Sequence, residues 1–377
     1  MPERPTLEPW LAPPHRVARF YPGGEQLDAF RDLGDQAIDA GPEDWVASTT
    51  RAWSGPGVAS SDVGIGTVVV DGRSRRLLDL IQADPLGVLG PAPADPTGNT
   101  TGLLVKLLDA GARLPVHVHP DRSFARRHLG SAFGKTEAWI VLATREQPGA
   151  PPPNVRLGFH EETDAPRLRR WLDSPASTGL LESLHARPAT VGDVWLVPAG
   201  TPHAIGAGVF LLELQEPTDF SILLETEGVP IAPADAHLGL GWEVAMDSID
   251  RRALSEADLD GLRGPLGGGL AVHGDGWLRR PLLPPAADAF FRAERLVVSG
   301  TARPYTEANA DLAIGVVTAG AGRIGRVGSR SLEVRRGATF VVPAASLPEL
   351  ELEPVGTLEV IVCRPPSAPI ADVRAAS

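Results

Sequence analysis

Apolar segments of strand length recur along the middle of the chain: LLVKLLDA from Leu103, LPVHVH from Leu114, EAWIVLAT from Glu137, NVRLGF from Asn154, VWLVPA from Val194, VFLLELQ from Val209 and FSILLET from Phe220. Short strands separated by turn residues predict a sandwich or barrel. Between Glu161 and His185 the period changes. Leu168, Trp171 and Leu172, then Leu180, Leu181 and Leu184, recur at helical spacing and predict a small helical insertion at about 161–187. After residue 290 strand-like text resumes in RLVVSG, LAIGVVTAG, SLEVRRG, ATFVVPA and TLEVIVCRP.

The flanks read differently. GGEQLDAFRDLGDQAID from Gly23 and RRLLDLIQADP from Arg75 are helical, with a strand-like TVVVDGRS between them. SIDRRALSEADLDGL predicts a helix capped by Ser255, and the proline-rich WLRRPLLPPAAD after it reads as a linker. The expected architecture is mainly β: two sandwich or barrel domains with helical flanks. Residues 1–100 are an α+β flank completing the first domain, 101–245 the domain with the insertion, 246–289 a helical connector and linker, and 290–377 a second β-domain.

Composition narrows the functional classes. A 43% hydrophobic content with 22% charged residues is that of a globular protein, and 41 Gly and 37 Pro favour short strands over long helices. The net charge of -12 disfavours attraction to nucleic acid or anionic lipid. No run approaches the ~18 apolar residues of a membrane span, and MPERPTLEPWLAPPH lacks a secretory h-region. A single cysteine, Cys363, suits a reducing compartment, so the expected location is the cytoplasm.

His117 and His119 stand two apart in LPVHVHP, which on a strand sends both side chains to one face, where a single ion can touch both. The spacing Gly111-x5-His117-x-His119 is the first half of a cupin metal signature. Gly192, Pro198, Gly200 and His203 in GDVWLVPAGTPH supply the second half. Asp121 is the only acid close behind the first pair; Glu137 follows His119 by 18 positions.

That late glutamate lies in GKTEAW, Gly134–Trp139, which resembles the GKTE motif of the type I phosphomannose isomerases, members of the cupin superfamily. The likeness extends to HPD at His119–Asp121, PAGTPHAI at Pro198–Ile205 and PEDW with a following Ser at Pro42–Ser48. The resemblance implies two cupin-like jelly-roll β-domains, the first holding one divalent metal through His117, His119, Glu137 and His203, with His117 standing where the family has Gln. Zinc is the family default, and a nitrogen-rich set also suits Mn, Fe, Co or Ni. It implies pocket roles for Lys106, Lys135 and Glu213 as proton handlers or orienters. Trp45, Arg122 and His237 are candidates for contact with substrate, and Arg126 and Arg127 extend the same basic cluster.

The implied activity is aldose–ketose isomerisation by proton transfer through an enediol. Two departures bear on the substrate. The family's catalytic and phosphate-contacting Arg, ten residues beyond the acid matching Glu213, is Leu223 here, and its phosphate-binding Ser is Pro115. An unphosphorylated sugar such as mannose or fructose is therefore expected. A mannose-6-phosphate isomerase using other arginines, a non-catalytic sugar-binding cupin and a cupin oxygenase stay open. Gly320, Gly322 and Gly325 spell G-x-G-x-x-G, but with β-like text on both sides they read as a hairpin connection rather than a dinucleotide site. The C-terminal domain keeps only a broken half-signature at Gly337 and Pro343, which predicts no metal there.

Overall fold

The computed structural model of the protein describes residues 5–34, 41–53, 55, 62–91, 93–95, 98–173, 178–265, 268–306 and 310–367. Among them the strands form three antiparallel sheets, of six, five and ten strands, and the fold is mainly β. No described helix is long and apolar enough to cross a membrane.

The six-stranded sheet runs in the order Val194–Val197, Glu137–Thr144, Val209–Gln215, Leu104–Asp109, Glu43–Trp45 and Arg16–Val17. Its central strands are buried on both faces, which explains why they read as nearly continuous apolar runs. The strand period of 2 divides their side chains. Val105, Leu107, Ala138, Ile140, Leu212 and Leu214 face a core shared with Ile314, Val316, Val341 and Ile361 of the C-terminal half. Leu108, Trp139, Val209 and Leu211 face the other way and meet Val155 and Leu157 of the five-stranded sheet. Lys106, Glu137 and Glu213 share this inner face by the same alternation, so the sandwich is apolar at one end and charged at the other.

The five-stranded sheet is ordered Leu184–Pro188, Asn154–Phe159, His203–Ile205, His117–Val118 and Ile222–Leu223. Helices Ala165–Leu172 and Thr178–Glu182 form the insertion, with Leu168, Trp171, Leu180 and Leu184 in one apolar cluster beneath it. Of the helical stretch expected from Gly23, the described residues are helical over Glu25–Arg31; residues 35–40 lie outside the described residues.

Three sequence expectations change. WLRRPLLPPAAD is not simply a linker, because Trp277–Pro281 is a strand paired with Arg292–Val298. The N-terminal flank serves both halves: Arg16–Val17 and Glu43–Trp45 join the six-stranded sheet, while Trp10–Ala12, Thr67–Val70 and Arg73–Arg76 extend the C-terminal one. The triple-glycine stretch is not a hairpin connection but the interior of the 14-residue strand Ala313–Arg326, where register shifts accompany Gly320. A Cβ on Gly320 would lie 1.9 Å from the Thr357 carbonyl oxygen. The Ser255 cap is present, reciprocated by Asp258.

One buried ion pair ties the two halves. Arg31 donates from Nε and Nη2 to Asp44 Oδ2 at 2.9 and 2.5 Å, and from Nη1 to the Gly337 carbonyl and Thr339 Oγ1 at 3.0 and 2.8 Å. Asp44 is fully buried. Arg31→Met would leave that carboxylate without its cation, so denaturant unfolding should show a loss of about 3–5 kcal/mol; a loss below about 1 kcal/mol would contradict the inter-domain role.

Candidate metal centre and cavity

His117 and His203 are direct cross-strand partners in the five-stranded sheet, and His119 follows one residue past the strand end. Their ring centroids lie 4.2 Å apart for His117 and His203, 5.0 Å for His117 and His119, and 4.9 Å for His119 and His203. One ligating atom from each falls within 4.8 Å of the others. Glu137 enters from the opposing sheet, with Oε1 2.9 Å from His119 Nε2 and Oε2 3.7 Å from His203 Nε2. The structure thus brings all four sequence-derived ligand candidates together.

The histidine tautomers follow from their partners. Nδ1 of His117, His119 and His203 each lies 2.7 Å from a carbonyl oxygen, of Pro115, Phe220 and Thr201 respectively. A carbonyl can only accept, so each Nδ1 carries the proton and each Nε2 presents a lone pair. Burial above all lowers the pKa of His119 and His203 to about 3, and that of His117 well below the ordinary imidazole range. Neutral imidazoles are the form that ligates a metal.

This donor set fits a cation. His203 Nε2 is buried without a hydrogen-bond partner, and the His119 Nε2 lone pair faces a carboxylate oxygen at 2.9 Å. Two acceptors so close repel unless positive charge lies between or beside them. Lys135 Nζ supplies some, 2.7 Å from Glu137 Oε1 and 3.0 Å from His119 Nε2. Burial works against the Glu137 charge, but the Lys135 ammonium holds its carboxyl well below the usual range. Three imidazoles and one carboxylate suit a divalent transition metal; the donors alone do not select zinc over its neighbours.

Beside the centre lies a cavity of about 300 Å³. Lys106, Lys135 and Glu213 all line it, as do Pro115 and Leu223. Leu223 is the other cross-strand neighbour of His117. Lys106 Nζ lies 3.6 Å from both Glu213 Oε1 and Glu43 Oε2. Burial first and then the charge of Glu137 push the Glu213 carboxyl up to about 8, and its Oε1 has no hydrogen-bond partner.

Trp45, Arg122 and His237 are not among the lining residues. Trp45 is fully buried beneath the cavity wall, with Arg19 and Lys106 over its ring at 5.0 and 5.1 Å. Arg122 is drawn away to Glu216 Oε1 at 2.5 Å and to the Ala289 carbonyl. His237 accepts from the Gly241 backbone N–H through Nδ1 and stacks edge-on with Trp242. Asp121 caps helix Arg122–His128 by accepting from Phe124 N–H. Arg19, Tyr21, Glu43 and Asp219 line the cavity, although sequence reasoning gave them no part in the site. Glu43 lay inside the PEDW motif; Arg19, Tyr21 and Asp219 carried no motif.

A β-sandwich with this histidine cluster at its charged end, backed by a second β-domain, is the fold that the chain shares with solved phosphomannose isomerases. The mannose 6-phosphate isomerase of Bacillus subtilis superposes with a TM-score of 0.69 at 21% identity, covering 95% of this chain and 99% of that one. A phosphomannose isomerase variant from Salmonella typhimurium gives 0.66 at 14% identity over 94% and 99%. In sequence, mannose-6-phosphate isomerase from Streptococcus mutans is 40% identical over 117 residues, 31% of this chain and 34% of that protein. Mannose-6-phosphate isomerase ManA of Bacillus subtilis is 34% identical over 122 residues, 32% and 36%. The chain thus spans about a third of the length of the curated relatives it matches. No protein-family model matches it.

Because each candidate ligand is one of only four, purified protein should carry about one divalent ion per chain, and His119→Ala or His203→Ala should lose it. Elemental analysis decides this, and full occupancy in both variants would overturn the assignment.

Proposed function

We propose that this chain is a metal-dependent aldose–ketose isomerase acting on an unphosphorylated sugar. The observation that carries the reading is the meeting of the three-histidine, one-glutamate cluster with a cavity whose wall bears Lys106, Lys135 and Glu213. His117, His119, Glu137 and His203 would hold the ion, zinc being the family default. When bound, it would polarise the sugar oxygens at C1 and C2. Glu213 presents an unpartnered carboxyl oxygen to the cavity, positioned to hold or pass the proton moved between C1 and C2. Lys106, 3.6 Å away, orients that carboxyl, while Lys135 fixes the Glu137 carboxylate and adds positive charge beside the developing enediol.

The preference for a neutral sugar rests on charge. Three cations line the cavity, and each already faces carboxylate: Arg19 with Glu43 and Asp219, Lys106 with Glu43, Lys135 with Glu137. Pro115 and Leu223 add no donor where the resemblance predicts phosphate contacts. A phosphoryl dianion desolvated there would find no unpaired cation among the described lining residues. The relatives' names favour the second reading, isomerisation of mannose 6-phosphate.

Metal-replete protein should show kcat/KM for a free aldose or ketose about a hundredfold above that for its 6-phosphate, the equivalent of about two lost charge-assisted hydrogen bonds. A preference for the phosphate would establish the second reading instead. Glu213→Gln should lower kcat about a hundredfold or more with the metal retained; unchanged kcat would remove Glu213 from proton transfer.

A further inference from the structure

Arg19 reaches the cavity from the segment between strand Arg16–Val17 and helix Glu25–Arg31, a stretch without any motif. The segment is held in place at its far end. Gly23 lies so close to the Asp109 carbonyl that a Cβ would come within 2.0 Å of its oxygen, and the buried Asp109 carboxylate accepts from Gly24 and Gln26 N–H at 2.7 and 3.0 Å. Arg19 itself is clamped. Nε donates to Glu43 Oε2 at 3.0 Å, Nη1 to Asp219 Oδ2 at 3.0 Å and Nη2 to Asp219 Oδ1 at 2.6 Å, and the guanidinium lies over the Trp45 ring. Asp219 is steadied in turn by Trp53 N–H at 2.9 Å.

A guanidinium carries five N–H donors, and these bonds use three. One N–H on each terminal nitrogen is left over, on the only arginine among the described residues lining the cavity; its side chain keeps 17% of its surface exposed. Two carboxylates already surround its single charge, so the site is rigid and rich in donors without being electropositive. That combination suits sugar hydroxyls, which accept hydrogen bonds without bringing charge, and is poor for a dianion.

We infer that Arg19 is a substrate-orienting residue, its two spare N–H groups donating to hydroxyls of an uncharged hexose or hexitol at the end of the cavity away from the reacting carbons. This rests on the sugar-isomerase reading for the reaction but not for the binding. The pairing is a property of this chain's own N-terminal segment, which places a guanidinium in the cavity although Leu223 offers none.

The test is Arg19→Lys, which keeps a cation for Asp219 but removes the planar donor fork. Metal content should match wild type. KM for a free hexose should rise about tenfold with kcat within about threefold, and calorimetric Kd for D-mannitol on metal-loaded protein should weaken about tenfold. A mannitol-soaked wild-type crystal should show a hydroxyl oxygen within hydrogen-bond distance of Arg19 Nη1 or Nη2, which tests the inference even where the variant misfolds. Unchanged KM and mannitol affinity, no mannitol binding by wild type, or a loss confined to the sugar 6-phosphate would overturn it. Wild type that binds mannitol through Arg19 yet turns over no hexose would sink the isomerase reading alone.

Discussion

Three hydrogen bonds from imidazole to backbone carbonyl set the chemistry of this protein. By holding the Nδ1 protons of His117, His119 and His203 on Pro115, Phe220 and Thr201, they turn three Nε2 lone pairs toward one point. Two of these bonds are local, joining a histidine to the residue two positions earlier, and the third crosses to the adjoining Phe220–Leu223 segment. Sheet pairing does the rest, since the register that sets His203 opposite His117 also sets Leu223 beside it. Glu137 completes the cluster from the facing sheet because it shares its strand's inner face with Trp139, which is packed into the core.

The same inner face governs what the cavity accepts. Buried charges without partners are costly, and the cations lining this cavity have carboxylate partners within the protein. Despite burial, Arg19 and Lys106 hold the Asp219 carboxyl below its ordinary value, while Glu213 and Glu43 raise the Lys106 ammonium above its own. On the proposed reading, internal neutralisation leaves directional hydrogen bonding, rather than free charge, as the means of recognising an uncharged sugar.

The histidine–glutamate cluster was legible in the sequence because its spacing is local: two histidines two apart on a strand, a glutamate two after a lysine, and a proline-glycine turn ahead of His203. The Arg19 clamp was not, since its partner Asp219 is 200 positions away and only the folded sheets bring them together. Proximity in sequence also misled. Arg122 adjoins the HPD motif, yet it starts a helix whose Asp121 cap aims it at Glu216 and the chain near Phe290. Trp277–Pro281 looked like a linker because of its prolines, but its ladder partner Arg292–Val298 lies beyond them. The N-terminal strands could not be allotted from periodicity, which says that a strand exists and not which sheet it joins.

The most direct test of the tautomer-locked centre is anomalous diffraction from a crystal of the metal-loaded protein, recorded at the absorption edge of the bound ion. The account predicts a single peak ligated by Nε2 of His117, His119 and His203 and by the Glu137 carboxylate, with each Nδ1 still on its carbonyl. A peak elsewhere in the chain, or ligation through Nδ1 of any of the three histidines, would contradict it.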